Sequence, residues 1–540
     1  MMNHSLSRRD FLKSSAALTL GLGIASLFPS AASAEASTAE SAGYDISNTV
    51  ETDVVICGAG AAGMQAAMTI VEAGLSCIVL EKGGSLSVSN GSMAGGPALA
   101  ETPTEAENGE DVPVRRLFLD LYSFTQGTVD GALLKKAVEQ SRRVYDHFND
   151  NGITLGLQPD KWGLGYRCRH NFLGPDGKVV RGAARYQPLA DYIEANGGQI
   201  IFNQDVQHLV CEDGVVRGVI AMSTEDSSCT QYLAKAVLLS TGGYLGNKEK
   251  LNEHFGPAYV HALGNTLSTG EAIDMGREIG ALVGVNWGIC GNEMFSVNEK
   301  IGAPGLGMKN ASSNLQYAHL GGLIVNKDGE RFMDEQYMAD AAGSVGAEAV
   351  LRQGKYYAII DDEFFKTVRT EGICAYYGNT DDWYVGRETR NEPLPNNEAD
   401  LEKDISMGWA FKADTIQELA EHFGLTNLAA TVEEYNRFCE AGEDKQFYKS
   451  PYLLKALTTG PFYAFEYQSS AWCTYGGLHV TSNCEVTNEM LEPIKGLYAA
   501  GVDAANLFTS PYYALGGASL GLSLTSGIVA GDAIVNMIQG

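Results

Sequence analysis

The chain has 540 residues, enough for two or three domains or for one fold with a large insertion. Hydrophobic residues make up 45% and charged residues 19%, a globular balance that excludes a mostly disordered chain. With 38 Lys+Arg against 66 Asp+Glu, the net charge of -28 excludes the positive footprint that nucleic acids require.

Gly is abundant at 63 residues and Pro scarce at 15, which points to tight turns and close approaches of backbone to ligand. No uninterrupted apolar run reaches the ~20 residues of a membrane-spanning helix. The expectation is a large, acidic, soluble protein.

At the N-terminus, Ser7-Arg8-Arg9-Asp10-Phe11-Leu12-Lys13 is a twin-arginine pattern, followed by a short apolar stretch from Ala16 to Phe28 and by Ala32-Ser33-Ala34. Charge, apolar run and small residues in that order predict a signal peptide over 1–34, removed after Ala34. Such signals are addresses rather than anchors, so the expected location is the periplasm or the outer face of the cell membrane. All ten cysteines lie downstream and show no framework spacing and no Cys-x-x-Cys pair. Haem, iron–sulfur clusters and structural zinc are therefore not expected. Cys57 and Cys77 sit in apolar strand-like runs and read as buried thiols.

Asp53-Val54-Val55-Ile56-Cys57 has the β-branched, apolar character of a buried parallel strand. It runs into Gly58-Ala59-Gly60-Ala61-Ala62-Gly63, which opens a helix rich in Ala and Met up to Val71. A second strand, Cys77-Ile78-Val79-Leu80, ends at Glu81. In such a unit the first Gly makes the turn and the second admits a pyrophosphate to the backbone. The third permits close packing, and the helix N-terminus faces the phosphates. Glu81 is placed to accept hydrogen bonds from adenosine ribose hydroxyls and would repel a 2′-phosphate. The ligand is thus FAD or NAD rather than NADP.

Three further blocks follow in order. Ser89-Asn90-Gly91-Ser92-Met93-Ala94-Gly95-Gly96 is a small, Gly-rich loop after Glu81-Lys82. Ala236 to Ser240 is a strand-like run ending in Thr241-Gly242-Gly243-Tyr244. Gly496-Leu497-Tyr498-Ala499-Ala500-Gly501, with Asp503 just beyond, leads to Leu515-Gly516-Gly517-Ala518-Ser519-Leu520 at the head of a last helix.

Together these blocks resemble the flavoprotein superfamily of fumarate reductases and 3-ketosteroid dehydrogenases, from about Thr52 to the end. The resemblance implies FAD, bound non-covalently in the absence of an obvious flavinylation motif. It implies an α/β fold: a Rossmann-like FAD-binding domain split in sequence (45–284 and 463–540), with an inserted α+β capping domain (285–462). It assigns cofactor contacts to Gly58, Ala59, Gly60, Ala62, Gly63, Glu81, Lys82, Ser89, Asn90, Gly91, Ser92, Gly95 and Gly96. Thr241, Gly242, Gly501, Asp503, Ser519 and Leu520 complete that set. The N-terminus of the last helix is placed to stabilise negative charge on the reduced ring. Asp381 to Glu402, charged and Pro-bearing, reads as a surface loop of the cap.

The chemistry implied by the resemblance is selective. Arg331-Phe332-Met333-Asp334-Glu335 matches the block before the catalytic arginine of fumarate-reducing relatives, but Ala339 stands where that arginine would fall. Tyr513-Ala514 stands where the Asn-Arg of a second carboxylate clamp would be. Losing two guanidiniums, each worth about 1.5–3 kcal/mol as a charge-assisted bond, disfavours a dicarboxylate unless Arg167 or Arg169 supplies the clamp. Tyr513 and Gly517 match the tyrosine hydroxyl and glycine amide that hold a ketone oxygen in ketosteroid dehydrogenases, a two-donor oxyanion site.

For the proton donor Tyr337, two residues before Ala339, is the candidate, with packing in the cap as its other reading; a phenol with a pKa near ~10 donates more readily at neutral pH than it accepts, which favours reduction of the alkene over its formation. Arg331 reads as an ion-pair partner of Glu335, and His319 and His479 as structural histidines. Trp472, Cys473 and Tyr475 should border the substrate cavity.

The reading is an exported FAD-dependent reductase that transfers hydride from flavin N5 to an activated C=C bond in an enone, enoate or ketosteroid-like substrate. Its electrons come from a separate cytochrome or small redox protein. The alternatives are the reverse, dehydrogenase reaction, a fumarate-type reductase, and a flavin electron carrier without turnover of its own.

Overall fold

A computed structural model describes residues 43–159, 165–256, 260–284, 286–291, 296–297, 312–339, 344–378 and 392–540. The expected signal peptide lies outside the described residues. So does the first half of the expected surface loop.

The first apolar run forms β1 (Val54–Cys57), and Gly60 opens α1 (Ala61–Glu72). The second run forms β2 (Cys77–Leu80). Every residue of both strands is buried, which is why they read as continuous apolar runs rather than alternating ones. β3 (Gly198–Ile201), β4 (Ala236–Leu239), β5 (Glu485–Thr487) and β6 (Pro493–Ala499) complete a six-stranded sheet in the order β5-β6-β4-β1-β2-β3. All neighbours are parallel except β5 and β6. One sheet thus takes four strands from the first half of the chain and two from its end.

The last helix, α2 (Ala518–Gln539), packs directly against α1. Its closeness is set by small residues: a Cβ on Gly527 would lie 2.2 Å from the carbonyl oxygen of Ala62. α2 is long and apolar enough to cross a membrane, by length and composition only; 72% of its apolar window is buried inside the protein. Ser, Gly and Asp532 interrupt the run, so it does not stand out as an apolar segment in the sequence.

A second sheet is built around the ten-residue strand Phe462–Ala471. Its main order is Val260–Ala262, Phe462–Ala471, Lys355–Asp361, Leu323–Asn326, and Ser296–Val297 and Ala410–Ala413 also pair with Phe462–Ala471. At alternate positions that strand sends Tyr463, Phe465 and Tyr467 into an aromatic core with Tyr317, Phe365 and Trp409. The expected seam between residues 462 and 463 falls at the head of this strand. Its pairing carries the second unit on to Ala471, and Val260–Ala262 joins the same sheet from upstream of residue 285.

One local expectation changes, and the Arg331–Glu335 ion pair is borne out. Within Asp381 to Glu402, the described part enters a helix, Asn397–Met407, with Asn397 and Leu401 buried and Glu398 and Glu402 exposed. Arg331 is an interior group: it grips Glu335 with two bonds of 2.8 Å and reaches Asp444 Oδ2 at 2.8 Å. Lys449, also fully buried, completes the cluster at 3.5 Å from Glu335.

Candidate active site

A cavity of about 460 Å³ opens at the carboxyl ends of the parallel strands, where open α/β sheets place their ligands. β1 delivers Cys57 and the Gly58–Gly63 turn to it, β2 delivers Glu81, β4 delivers Ser240 to Gly242, and β6 delivers Ala500 and Gly501. Gly58 has φ +104°, and a Cβ there would stand 2.4 Å from the Ser240 carbonyl oxygen; only glycine makes this crossing between β1 and β4. Gly60 faces the cavity, with nothing but Ser89 Cβ near it. Gly63 is turned inward, where a Cβ would strike the Gly58 carbonyl at 2.0 Å.

Glu81 is 7% exposed and lines the cavity. Its Oε2 accepts from Ala59 N at 2.9 Å and its Oε1 from Gly83 N at 2.8 Å. Burial pushes its pKa up despite those bonds. Each oxygen keeps lone-pair capacity toward the cavity, as a ribose diol requires. Lys82 is engaged differently from a phosphate-binding lysine: its Nζ lies 2.6 Å from Glu271 Oε1 and 3.2 Å from Asp205 Oδ2. Burial opposes its charge, yet the Glu271 hydrogen bond and the two carboxylates leave its pKa above the ordinary value.

In the Gly-rich loop, Ser89 caps the short helix Asn90–Met93 by accepting from Ser92 N at 3.1 Å. Ser89, Asn90, Gly91, Gly95 and Gly96 line the cavity. Ser92 does not; it is fully buried and donates to the carbonyls of Ser87 and Ser89. The loop is held from behind by Arg185, wholly buried, which donates to Gly91 O, Ala94 O (2.8 Å) and Val180 O (3.3 Å). Burial pulls its guanidinium down to about 10. Nothing local in the sequence marks Arg185, since two of its three partners are main-chain carbonyls more than ninety residues upstream.

Asp503 is likewise a positioning residue. It is buried, and its carboxylate accepts from Thr241 N and Oγ1 (2.9 Å), Gly242 N (3.3 Å) and Gly243 N (3.0 Å). It thereby fixes the turn whose Thr241 and Gly242 face the cavity. Ala59, Gly63, Ser92 and Asp503 therefore stand behind the wall rather than in it. Gly58, Gly60, Ala62, Thr241, Gly242, Gly501, Ser519 and Leu520 are in it.

The far end of the cavity is walled by Met93, Cys290, Trp472, Cys473, Tyr512 and the start of α2 at Gly517 and Ser519. Here the expected keto-oxygen cradle changes. Tyr513 is 0% exposed, stands outside the cavity wall, and donates its hydroxyl to Leu507 O at 2.8 Å. Burial drives its phenol far up. The neighbouring Tyr512 faces the cavity instead and accepts from Ser519 N, in the first turn of α2, at 3.2 Å. Gly517 does line the cavity; its φ of +86° starts α2, and a Cβ there would meet Gly96 O at 2.4 Å. Two adjacent tyrosines cannot be told apart by spacing alone, and the turn before α2 rotates the second one inward.

Tyr337 is 49% exposed and lies outside the cavity wall. His319 and His479 also lie outside it, His479 engaging Thr487 Oγ1 at 2.8 Å. Of the two arginines considered for a carboxylate clamp, Arg167 is tied to Glu110 at 2.7 Å, whereas Arg169 lines the cavity. A Cβ on Gly95 would lie 2.3 Å from Arg169 Nη2. Arg181 also reaches the wall, donating to Met93 O at 2.8 Å; the sequence offered no motif for it.

The parallel sheet, the glycine turn, the acid at the tip of β2 and the bare backbone beyond it define a dinucleotide-binding flavoprotein. The chain belongs to the FAD binding domain family, whose model matches residues 53–520. It is an FAD-dependent oxidoreductase. It is 28% identical over 472 residues to the vinyl phenol reductase of Lactiplantibacillus plantarum, covering 85% of this chain and 91% of that one. It is 26% identical over 488 residues to a fumarate reductase (cytochrome) of Shewanella frigidimarina, covering 89% of this chain and 76% of that one. Among solved structures, the 3-ketosteroid Δ1-dehydrogenase of Sterolibacterium denitrificans shares the fold, with a TM-score of 0.67 at 19% identity over 90% of this chain and all of that one.

Proposed function

We propose that this protein reduces a C=C bond activated by a conjugated carbonyl or aromatic group. The observation that carries the reading is the far end of the cavity, where Trp472 and Tyr512 offer aromatic surface beside the first turn of α2, in a chain similar along most of its length to a vinyl phenol reductase. FAD held against Gly58, Gly60, Glu81 and Gly91 would supply the hydride for this reduction.

The chain's own residues do the rest. Trp472 offers a flat apolar face to a planar substrate. Tyr512 donates a proton to one alkene carbon, and Ser519 N together with the N-terminal end of α2 supports the phenol oxygen as it becomes negative. Tyr512 takes this role in preference to Tyr337, which is half-exposed, and to Tyr513, which is committed to Leu507 O. Arg169 offers a positive charge to an enolate or carboxylate oxygen.

The unit built around Phe462–Ala471 acts as a cap over the cavity, which excludes water from the reacting centre. Electrons come from a separate cytochrome or small redox protein. The twin-arginine pattern and the residues after it would deliver the folded, FAD-loaded protein outside the cytoplasm.

The test is anaerobic photoreduction of the bound flavin, followed by a panel of enones, enoates, hydroxystyrenes and ketosteroids. Reoxidation with stoichiometric formation of the saturated product supports the reading. A reduced flavin that no panel member reoxidises, or an oxidised flavin that only a saturated ketone bleaches, overturns it; the second result selects the dehydrogenase direction.

A further inference from the structure

Two thiols meet in the cavity wall. The two-residue strands Gly288–Ile289 and Thr474–Tyr475 pair antiparallel, Gly288 opposite Tyr475 and Ile289 opposite Thr474. One step on, Cys290 N donates to Cys473 O at 2.9 Å, and Trp472 N donates to Cys290 O at 3.0 Å. Cys290 therefore faces Cys473 across the ladder, at a bulge that sets two residues opposite one. Directly opposed residues in such a ladder have Cα atoms about 4.5–5.5 Å apart, inside the ~4.4–6.8 Å window of disulfides. Both side chains line the cavity and both are nearly buried, at 4% and 5% exposure. The Cys290 thiol hydrogen-bonds to Cys473, whose Sγ is also 3.9 Å from Ser519 Oγ.

We propose that Cys290 and Cys473 are a redox-active dithiol that closes to a disulfide within the cavity wall. The co-reactant is a low-molecular-weight disulfide small enough to enter the cavity. The Cys473 thiolate attacks one of its sulfurs, forms a mixed disulfide and expels one small thiolate. The Cys290 thiolate then attacks Cys473 Sγ, forms the intramolecular bond and expels the second. The protein is oxidised by two electrons, the small disulfide is reduced by two, and the two thiol protons leave on the two small thiols.

Cys473 is the attacking group because the Cys290 hydrogen bond holds its pKa below the ordinary thiol value against the effect of burial. The third cysteine of the wall, Cys57, goes the opposite way: burial and the nearby Asp503 raise it and leave it inert. Closure links the two segments that flank Trp472, so the thiol state of the pair sets the shape of the wall against which a planar substrate lies. None of this depends on which substrate the protein reduces.

The experiment uses the full, flavin-loaded chain treated with cystamine, unfolded, alkylated with N-ethylmaleimide and mapped by mass spectrometry. The expected result is loss of two of the ten alkylatable thiols, with a linked peptide pair containing Cys290 and Cys473 and lighter by two hydrogens. Cys290→Ser should instead trap Cys473 as its cysteamine mixed disulfide. Ten alkylated thiols, a link between other cysteines, or two unlinked mixed disulfides would overturn the proposal.

Should the variant not fold, phenylarsine oxide on the unaltered protein gives a second measurement. It should shield both cysteines from alkylation, and a dithiol should strip it where a monothiol does not. Alkylation of both in its presence would equally sink the idea.

Discussion

Replacing Tyr512 or Tyr513 by Phe separates two roles that the sequence alone merges. Tyr513 is 0% exposed and its hydroxyl is the donor to Leu507 O at 2.8 Å, with Leu507 itself fully buried. Tyr513→Phe removes that bond and leaves a buried carbonyl without this donor, which costs about 1–3 kcal/mol. The reacting end of the cavity is untouched, so kcat and FAD content should hold while the denaturation midpoint falls. Tyr512→Phe removes the acceptor of Ser519 N at the mouth of a helix beside the cavity. Its stability cost should be smaller, about 0.5–1.5 kcal/mol, the net worth of one such bond. Its effect on turnover should be large, about 10²–10⁴-fold in kcat, the usual contribution of a positioned general acid.

The assay is steady-state reduction of the best panel substrate with a reduced dye, alongside denaturant melts and flavin content for each variant. The reverse pattern, with Tyr513→Phe inactive and Tyr512→Phe fully active, would refute the assignment and restore the keto-oxygen cradle at Tyr513.

Two further outcomes follow from the same geometry. Glu81→Ala removes the acceptor of Ala59 N and Gly83 N and the carboxylate that follows β2; losing about 3 kcal/mol of charge-assisted bonding to a ribose should weaken FAD binding by about two orders of magnitude, read from the fluorescence of released flavin. Glu105 is 1% exposed and burial raises its pKa from 4.5 to about 8. The folded state therefore holds a proton that the unfolded state has released; the resulting stability is present in full below pH 4.5 and is lost as pH climbs to about 8. Denaturation midpoints should fall across that window, and Glu105→Gln, which keeps an acceptor for Thr102 N, should flatten the slope; an unchanged slope would show that Glu105 is not the titrating group.

The cofactor half of the site was legible because it obeys local rules. A buried parallel strand must be apolar, the crossing at Gly58 needs a positive φ, and the acid at Glu81 follows a strand of fixed length. Those constraints act within a few residues of one another, so a single stretch of chain displays them. Arg185, Arg169 and Arg181 obey no such rule. Each is brought to the cavity or its supporting loop from a segment with no binding motif of its own, and Arg181 and Arg185 act on main-chain carbonyls of the distant Gly-rich loop. Tyr512 and Tyr513 failed for a related reason. The residues share a neighbourhood and a chemistry, and only the backbone path into α2 decides which phenol turns toward the cavity. The sequence did not mark Phe462–Ala471 as a central strand, because it is buried at nearly every position yet carries Glu466, Gln468, Ser469 and Ser470.

The charges of the cavity bear on what it accepts. Its lining includes three cationic side chains, Lys82, Arg169 and Arg181. Lys82 is already balanced by two carboxylates, Asp205 and Glu271, at the ribose end. Arg181 donates to Met93 O and so also fixes the loop beneath the flavin site. Arg169 lines the same cavity as Trp472 and Tyr512, the residues assigned above to the substrate. A dicarboxylate divides its binding between two charged ends, and a wall with one such guanidinium and an aromatic face leaves the second end against apolar surface. Burying a carboxylate there without a partner costs several kcal/mol. A planar substrate with at most one anionic oxygen meets no such penalty, and its ring gains the contact area that Trp472 provides. On the function proposed above, the balance of these two effects, rather than any single residue, would favour conjugated aromatic or enone alkenes over fumarate.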